Sequence, residues 1–509
     1  MEKRKVALIG AILLFVTLPY GYAALAAGQG YTFGGFLFNP LDGNSYLAKM
    51  MQGWSGSWTF TLTYTATPGT GTFLFLFYLL LGHLSRWLGL PLVWTFHLAR
   101  VLAAGGMLLV LDQFLGRALQ FSPEQRWKAL LLSALGSGMG WLAVPAGAFT
   151  ADFWVAEAYP FLSAFANPHF PLAIALCLLL WMQSEGAITL RRGVILALLG
   201  LALAVILPFG VVVALAILLG RTFWSGVARQ GFPWQALVWV SLGAAPVLGY
   251  QYGLVGSDPL LAGWNAQNLT PAPPLWDLLL SLSPALIVAG IGLRRFWLDA
   301  PGPRRRLVIA WLVLGVALAY FPFALQRRFM LGLYIPAAIV AAWLVDAIRT
   351  AGRPWGRWVW GGLLALSIPT NIAILLAGFY GVQTHDPLLY LTSDEASALA
   401  WVRTETVGDA ILLASPEMGM FIPAQTGRRV LYGHPFETVN AEDEKQAVEA
   451  LYAGRWEPEE VAQYLKARGV DYIFYGPREE ALGKRSVWQA YPVVYENDDV
   501  AILSVGNHP

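Results

Sequence analysis

Charged residues and cysteines are scarce in this chain of 509 residues. Asp, Glu, Lys and Arg make up 13% of the sequence and hydrophobic residues 57%, whereas soluble globular proteins carry about 25% charged residues. The single cysteine excludes a disulfide framework and a cysteine-based metal site. The formal net charge of +2 gives no indication of a nucleic-acid partner. The sequence also lacks a Gly-rich phosphate loop, a nucleophile elbow and an HExxH motif.

Long apolar runs fill the chain up to about residue 380, and most acidic residues follow that point. This pattern predicts a polytopic α-helical membrane protein with a transmembrane domain, residues 1–378, and a soluble α/β domain, residues 379–509. The predicted membrane spans are 6–27, 92–116, 127–146, 170–184, 193–206, 208–221, 234–252, 276–293, 307–324, 330–348 and 358–378. The first segment also resembles a signal peptide, although its apolar core is longer than usual.

The distribution of basic residues predicts the orientation of these eleven spans. Basic residues cluster at 3–5, 117–128, 191–192, 221–229, 294–306 and 349–357. Lys and Arg stay cytoplasmic in short loops, so we place these segments and the N-terminus inside the cell membrane and residues 379–509 outside. The same rule favours two helices bent at "LPFG" (207–210) over one long helix. It also favours a helix at the outer interface over a span for 72–90.

The tail alternates amphipathic helices with short apolar runs, which predicts mixed α/β structure. We predict helices in 393–406, "AEDEKQAVEALYAG" and "EPEEVAQYLKARG", the last stopped by Gly469. We predict strands in 410–415, 428–433, 470–476 and 500–505.

The stretch "NPLDGNSYLAKMMQGWSG" (39–56) opens the first predicted external loop and reads as a helix. Asp42 lies at its start, where the helix dipole favours a carboxylate. Asp42, Tyr46, Lys49 and Gly53 share one face at helical spacing, and apolar and aromatic residues from Leu47 to Trp58 form another. Asp42 is therefore a candidate catalytic acid with Tyr46 beside it, or it is only a helix cap.

Between the third and fourth predicted spans, the loop "TADFWVAEAYPFLSAFANPHFPLA" (150–173) carries Asp152, Glu157 and His169 and no basic residue. Near Asp42, the two acids and His169 could bind a divalent cation, Mg²⁺ or Mn²⁺, or act on a sugar hydroxyl. The alternative is ordinary interfacial polarity, with "NP" at 167–168 capping the next helix.

Arg327 and Arg328 lie outside in the predicted topology, against the general sorting of basic residues. The planar fork of arginine suits a phosphate, so the pair is a candidate site for a lipid phosphate. Lys49, His83 and Arg86 could add to that site. The alternative is that the arginines anchor the chain to lipid headgroups.

The order of these features resembles the GT-C superfamily of integral-membrane glycosyltransferases, which includes protein O-mannosyltransferases, aminoarabinose transferases and oligosaccharyltransferases. The resemblance rests on one span, a first external loop with "LDGNSY", a span opening "FHLARVLAAGGMLLVLDQFLGRAL", a second acidic loop and a soluble tail. The motifs "QRRF" and "TGRRVLYGHPFET" (426–438) are similar to those of uncharacterised bacterial members.

The resemblance implies transfer of a hexose or pentose from a polyprenyl-phosphate donor to a glycan, lipid or protein acceptor outside the cell membrane. It implies that Asp42 activates or positions the acceptor, and it places Glu157 and Asp152 in the second catalytic loop. Two departures stand out: Gly43 follows Asp42 where many relatives have a second acid, and the second loop has no Asp-x-Asp pair. A transporter or lipid flippase is the alternative, and a non-catalytic scaffold is a third.

Overall fold

The computed structural model describes residues 2–227, 234–298 and 303–506, with the backbone alone for residues 2, 224–227, 303 and 304. The predicted cytoplasmic segments at 221–229 and 294–306 therefore fall partly outside the described residues.

Helices make up most of the described chain. The first twelve are α1 Glu2–Phe15, α2 Leu18–Ala26, α3 Pro40–Trp54, α4 Leu76–Leu88, α5 Leu92–Gln113, α6 Pro123–Leu135, α7 Ala151–Trp154, α8 Pro160–Ala166, α9 His169–Gln183, α10 Leu190–Ile206, α11 Pro208–Val227 and α12 Trp234–Ser257. The others are α13 Pro259–Gln267, α14 Leu275–Leu282, α15 Ala285–Leu298, α16 Pro303–Ala319, α17 Tyr334–Thr350, α18 Gly356–Ser367, α19 Pro369–Gln383, α20 Ser393–Glu405, α21 Pro416–Thr426, α22 Ala441–Tyr452, α23 Pro458–Arg468 and α24 Pro477–Glu480.

Two sheets are described. The strands are β1 Tyr31–Phe33, β2 Tyr390–Thr392, β3 Ile411–Leu413, β4 Arg429–Val430, β5 Tyr472–Tyr475, β6 Val493–Glu496 and β7 Ala501–Ser504. β1 and β2 pair antiparallel. The other five follow the order β4-β3-β5-β7-β6, in which β3 is parallel to β4 and β5, and β7 is antiparallel to β5 and β6.

The chain divides into two compact units, each built from separate stretches of sequence. The first comprises Met1–Pro19, His97–Tyr250 and Leu269–Ala377, and the second comprises Tyr20–Phe96, Gln251–Asn268 and Gly378–Pro509. The predicted division between residues 378 and 379 stays a prediction.

Helix α17 is the buried centre of the first unit. Its side chains are buried continuously from Tyr334 to Asp346, and it packs against α6 and α15. A buried ion pair joins α6 to α17, with Lys128 Nζ 2.5 Å from Asp346 Oδ1. A helix buried on all sides needs apolar residues all round, which the sequence of α17 provides.

Four helical stretches in the described ranges are long and apolar enough to cross a membrane: Lys3–Ala26, Leu92–Ala118, Gln326–Thr350 and Gly356–Gln383. A fifth is α14 with α15 if this pair, bent by 81°, counts as one span. These five coincide with the predicted spans 6–27, 92–116, 330–348, 358–378 and 276–293. The full set of eleven spans and their orientation stay predictions.

The predicted span 127–146 is wrong as a continuous helix. Helix α6 begins at a capping box formed by Ser122 and Gln125, and it ends at Leu135. Short 3-10 turns follow at Gly140–Leu142 and Val144–Ala146. The run "GSGMG" (136–140) explains the end of the helix, because glycine favours termination over propagation. The predicted break at 207–210 is confirmed, since α10 and α11 are separated at Leu207.

In the second unit, the helices and strands predicted for the tail are confirmed in α20, α22, α23, β3, β4, β5 and β7. Helix α20 begins at a capping box of Thr392 and Glu395, and α23 ends at Gly469 in the left-handed region. Successive strand residues face opposite sides of the five-stranded sheet. The side chains of Leu412, Phe474 and Ile502 therefore pack in one hydrophobic core. Those of the adjacent residues Leu413, Ile473 and Leu503 pack in another. Helix α21 and strand β6 were not predicted.

Candidate functional site

The predicted external helix is α3, and its N-terminal cap is Asn39 rather than Asp42. Pro40 occupies the first turn, where its missing N–H costs nothing. The Asn39 side chain accepts a hydrogen bond from the backbone N–H of Asp42 at 3.5 Å and donates one to Asp42 Oδ2 at 2.5 Å. Asp42 lies in the first turn and is partly exposed. The reading of Asp42 as the helix cap itself is therefore wrong.

A loop of the tail, Gly433–Thr438, meets the Asp42 face of α3. His434 Nε2 lies 3.4 Å from Asp42 Oδ1. Glu437 Oε1 lies 2.7 Å from Lys49 Nζ and accepts a hydrogen bond from the Ser45 hydroxyl at 3.0 Å. Burial acts to raise the pKa of Glu437, but nearby positive charge, chiefly that of Lys49, and the hydrogen bonds from Lys49 and Ser45 together hold the pKa below its usual value. The predictions did not include His434 or Glu437.

Lys49 is buried within this cluster. Its ammonium group contacts Glu437 and the Ser45 hydroxyl and lies 4.4 Å from the centre of the Phe75 ring. An ammonium already neutralised by a carboxylate has little charge left for a phosphate. The geometry thus favours a structural role for Lys49 over the predicted contact with the donor phosphate.

Tyr46, His83 and Arg86 occupy other positions of the second unit. Tyr46 stacks on Tyr78, with ring centres 4.6 Å apart. His83 Nε2 lies 3.0 Å from the Ser57 carbonyl oxygen, and its ring stacks on Trp58 at 3.8 Å. Arg86 is exposed near the end of α4. The interfacial position predicted for 72–90 and a phosphate role for His83 and Arg86 stay predictions.

In the first unit, Glu157 lies between the two predicted phosphate-binding arginines. Its Oε1 atom is 3.5 Å from Arg327 Nε and 3.6 Å from Arg328 Nη1. The Glu157 side chain is 3% exposed, while the arginine side chains are 23% and 25% exposed. Arg327 also covers the face of Trp154, and Arg328 that of Phe209. Two guanidinium groups therefore face one carboxylate at a partly open surface.

Backbone hydrogen bonds hold both sides of this cluster. The Arg327 N–H donates to the Thr270 carbonyl oxygen at 3.0 Å, and the Gly332 N–H donates to the Glu157 carbonyl oxygen at 2.8 Å. Residues Gln326–Met330 form a 3-10 turn between these two bonds. The adjacent arginines therefore reach the same carboxylate from a fixed backbone.

Asp152 lies apart from the arginines and is fully buried. Its carboxylate accepts hydrogen bonds from the Thr150 hydroxyl at 2.6 Å, the Thr370 hydroxyl at 2.8 Å and the Gly140 N–H at 3.0 Å. Burial raises the pKa of Asp152 despite these hydrogen bonds. Its bonds join the loop around α7 to the start of α19, so the geometry favours a structural role over the predicted catalytic one.

The structure also describes the surroundings of His169 and of the carboxylates predicted to bind a metal. His169 is buried at the start of α9, where its ring packs on Phe170. The predicted cap is confirmed, because Asn167 Oδ1 accepts a hydrogen bond from the Phe170 N–H at 3.1 Å. No group of three or more His, Cys, Asp or Glu side chains in the described part of the chain is placed to hold a metal ion. Asp152 already accepts three hydrogen bonds and Glu157 faces two cations, so neither carboxylate is a good ligand for Mg²⁺ or Mn²⁺.

Comparisons with known proteins identify relatives by structure alone. No family model and no curated protein matches the sequence. The archaeal oligosaccharyltransferase AglB from Archaeoglobus fulgidus, solved with an inhibitory peptide and a dolichol-phosphate, is similar with a TM-score of 0.53 and 11% identity, over 94% of this chain and 70% of that one. Its apo form gives a TM-score of 0.56 at 11% identity, over 96% and 73%.

ArnT from Cupriavidus metallidurans, solved with undecaprenyl phosphate, is similar over 98% of both chains, with a TM-score of 0.53 and 12% identity. Identities this low show a shared fold and nothing finer. At that level, the resemblance to the GT-C glycosyltransferases is confirmed.

Proposed function

We propose that this protein is a membrane glycosyltransferase that moves a sugar from a polyprenyl-phosphate donor to an acceptor outside the cell membrane. The observation that carries the proposal is the adjacent pair Arg327 and Arg328, held by the buried Glu157. Arginine forks match the oxygens of a phosphate, and this cluster brings two of them together around one carboxylate. The shared fold supports the same ligand, since one similar structure contains undecaprenyl phosphate and another dolichol-phosphate.

In the proposed reaction, an acceptor hydroxyl attacks the anomeric carbon of the donor sugar. The bond from that carbon to the phosphate oxygen breaks, and polyprenyl phosphate leaves with the bonding electrons. Asp42 accepts the proton of the acceptor hydroxyl. Arg327 and Arg328 stabilise the negative charge that develops on the leaving phosphate. A direct displacement of this kind needs one base and no covalent intermediate.

The geometry refines the roles proposed for the acidic loop. Glu157 faces two guanidinium groups, so we assign it to orienting the arginines rather than to proton transfer. Asp152 fixes the loop through its three hydrogen bonds. The remaining predicted catalytic carboxylate is Asp42, which is partly exposed at the start of α3.

Lipid analysis of a deletion strain, followed by reconstitution, tests the function. We expect one sugar-phosphate-polyprenol to accumulate in the deletion strain, which names the donor. With cell-envelope material of the deletion strain supplied as the acceptor, the purified protein in liposomes should then release free polyprenyl phosphate from that donor, and the Asp42→Asn variant should not. Accumulation without release by the purified protein would point to the alternative, a lipid flippase or transporter.

The proposed orientation places the N-terminus inside the cell and residues 379–509 outside. The reason is the concentration of basic residues in the predicted cytoplasmic segments. A reporter fused to the C-terminus should be active only outside the cytoplasm, and cytoplasmic activity would contradict the topology.

A further inference from the structure

The loop Gly433–Thr438 contributes two side chains to the face of α3 that carries Asp42. His434 approaches Asp42, and Glu437 binds Ser45 and Lys49. Asp42, Ser45 and Lys49 follow one another along a single helix face at spacings of three and four residues. The loop is therefore bonded to α3 at Ser45 and Lys49, and His434 lies beside Asp42, all within the second unit.

Hydrogen bonds assign the tautomer of His434. Its Nδ1 atom accepts hydrogen bonds from the backbone N–H groups of Phe436 at 3.1 Å and Glu437 at 3.2 Å. A ring nitrogen that accepts hydrogen bonds carries no hydrogen, so the hydrogen of the neutral imidazole lies on Nε2. The two backbone bonds also fix the direction in which that N–H points.

The Nε2–H group of His434 is buried, and it makes no hydrogen bond to the residues that the structure describes. Asp42 Oδ1 lies 3.4 Å from it, slightly beyond ordinary hydrogen-bond geometry. A buried N–H is unfavourable without an acceptor, and catalytic hydrogen bonds are often long until the substrates are bound. We therefore expect Asp42 Oδ1 to be the hydrogen-bond acceptor of the His434 Nε2–H group.

We propose that His434 is a positioning residue for Asp42, a role that rests on the proposed function of Asp42 as the base. His434 Nε2–H donates to Oδ1, while Asn39 donates to Oδ2. A carboxylate oxygen can accept more than one hydrogen bond, so a bond from His434 does not itself prevent Asp42 from accepting the proton of the acceptor hydroxyl. His434 keeps its Nε2 hydrogen throughout the reaction and fixes the orientation of the Asp42 carboxylate.

Two substitutions separate positioning from simple support of the loop. In His434→Asn, the side-chain oxygen takes the place of Nδ1 and can accept the same backbone N–H groups, but no atom reaches Asp42. In His434→Gln, the amide N–H lies near the former position of Nε2 and can donate to Asp42. We expect kcat to fall about tenfold to a hundredfold in His434→Asn, as for a small misplacement of a catalytic group, and to recover largely in His434→Gln. The KM for the donor should not change.

The assay measures release of undecaprenyl phosphate from undecaprenyl-phosphate-linked glucose, mannose and arabinose in liposomes, with cell-envelope material of a deletion strain as the acceptor. His385→Asn is the matched control, because His385 contacts the Ala26 carbonyl oxygen and stacks on Tyr31, away from α3. It should keep the wild-type kcat. Equal kcat in wild type and His434→Asn overturns the proposal, as does an equal loss in the Asn and Gln variants.

A second readout needs no donor and so separates this proposal from the proposed function. The chain has six histidines, and His434→Asn identifies the signal of His434 in the nitrogen spectrum of histidine-labelled protein. We expect that signal to show hydrogen on Nε2, and to shift in Asp42→Asn but not in His385→Asn. Hydrogen on Nδ1, or a spectrum unaffected by Asp42→Asn, would overturn the positioning role even if the protein transfers sugar. Failure of the wild type to transfer, with the shift present, would instead overturn the proposed function.

Discussion

Removing one arginine of the pair should weaken binding of the donor phosphate by about ten- to a hundredfold. A charge-assisted hydrogen bond contributes roughly 1.5–3 kcal/mol, and about 1.4 kcal/mol corresponds to a tenfold change in affinity. Arg327→Lys and Arg328→Lys keep the charge but lose the planar fork, so they should recover only part of the loss. Thermal unfolding in detergent with increasing undecaprenyl phosphate measures the apparent affinity.

The buried Glu157 complicates the simple alanine variants. Glu157 contacts both arginines, so each single alanine variant removes one of its two partners as well as one phosphate contact. Loss of all compensation for a buried charge costs about 3–5 kcal/mol, so part of the loss of binding in Arg327→Ala or Arg328→Ala can come from instability. The informative comparison is made in a Glu157→Gln background, where the charge of the Glu157 carboxylate is removed.

In that background, we expect each alanine variant still to lose about tenfold or more in affinity for undecaprenyl phosphate. Arg349→Ala is the matched control, since Arg349 pairs with the exposed Glu124 at 3.3 Å and such surface pairs contribute about 0–1 kcal/mol. Unchanged affinity in both double variants would mean that the arginines serve only to neutralise Glu157. The phosphate site would then have to be sought near His83 and Arg86.

Three further substitutions give independent tests. Asp42→Asn should abolish transfer without lowering the melting temperature, because Asn39 caps α3 whether or not residue 42 is charged; full activity would return Asp42 to a structural role. Lys128→Met should lower the unfolding free energy by about 3–5 kcal/mol, because it leaves the buried Asp346 unpaired, whereas the same change at the exposed Lys445 should have little effect in a thermal melt. Burial raises the pKa of Glu479 from 4.5 to about 7, so the folded protein holds this proton more tightly than the unfolded chain. The unfolding free energy should therefore fall as pH rises from about 4.5 to about 7, and Glu479→Gln should flatten that dependence in thermal melts.

Local sequence patterns predicted the elements of the tail and the helix that carries Asp42, because capping residues and periodicity depend on neighbours in sequence. The same patterns predicted Arg327, Arg328 and Glu157 as candidates but could not show that they contact one another. Glu157 and Arg327 belong to segments separated by α8 to α16, and their approach depends on how these helices pack. The assignment of Glu157 to catalysis came from its loop, and its partners in the structure suggest another role.

The partners of Asp42 were missed for the same physical reason. Lys49 and Glu437 are 388 residues apart in the chain, and no periodicity relates such positions. The sequence carried one signal, the motif "GHPFET" with His434 and Glu437 three residues apart. A histidine and an acid in a loop are not specific enough to indicate which helix they meet.

Gly43, which follows Asp42 on α3, lies where the structure leaves little room for a side chain. A Cβ atom at Gly43 would overlap the ring of Phe36, which is buried and packs edge-on against Phe96 at 5.1 Å. Overpacking of this kind costs about 1–3 kcal/mol. We expect Gly43→Ala to lower the melting temperature and the smaller side chain of Phe36→Leu to restore part of it in the double variant.

Gly21→Ala is the matched control, because this helical glycine has nothing within 4 Å of its Cβ position. Alanine should stabilise that site by roughly 0.5–1 kcal/mol. A Gly43→Ala variant that melts like the wild type would show that the ring of Phe36 moves aside freely. A lowered melting temperature would mean that Phe36 leaves no room for a side chain at position 43. Helix α3 can then present Asp42 alone, which suits a displacement with a single base.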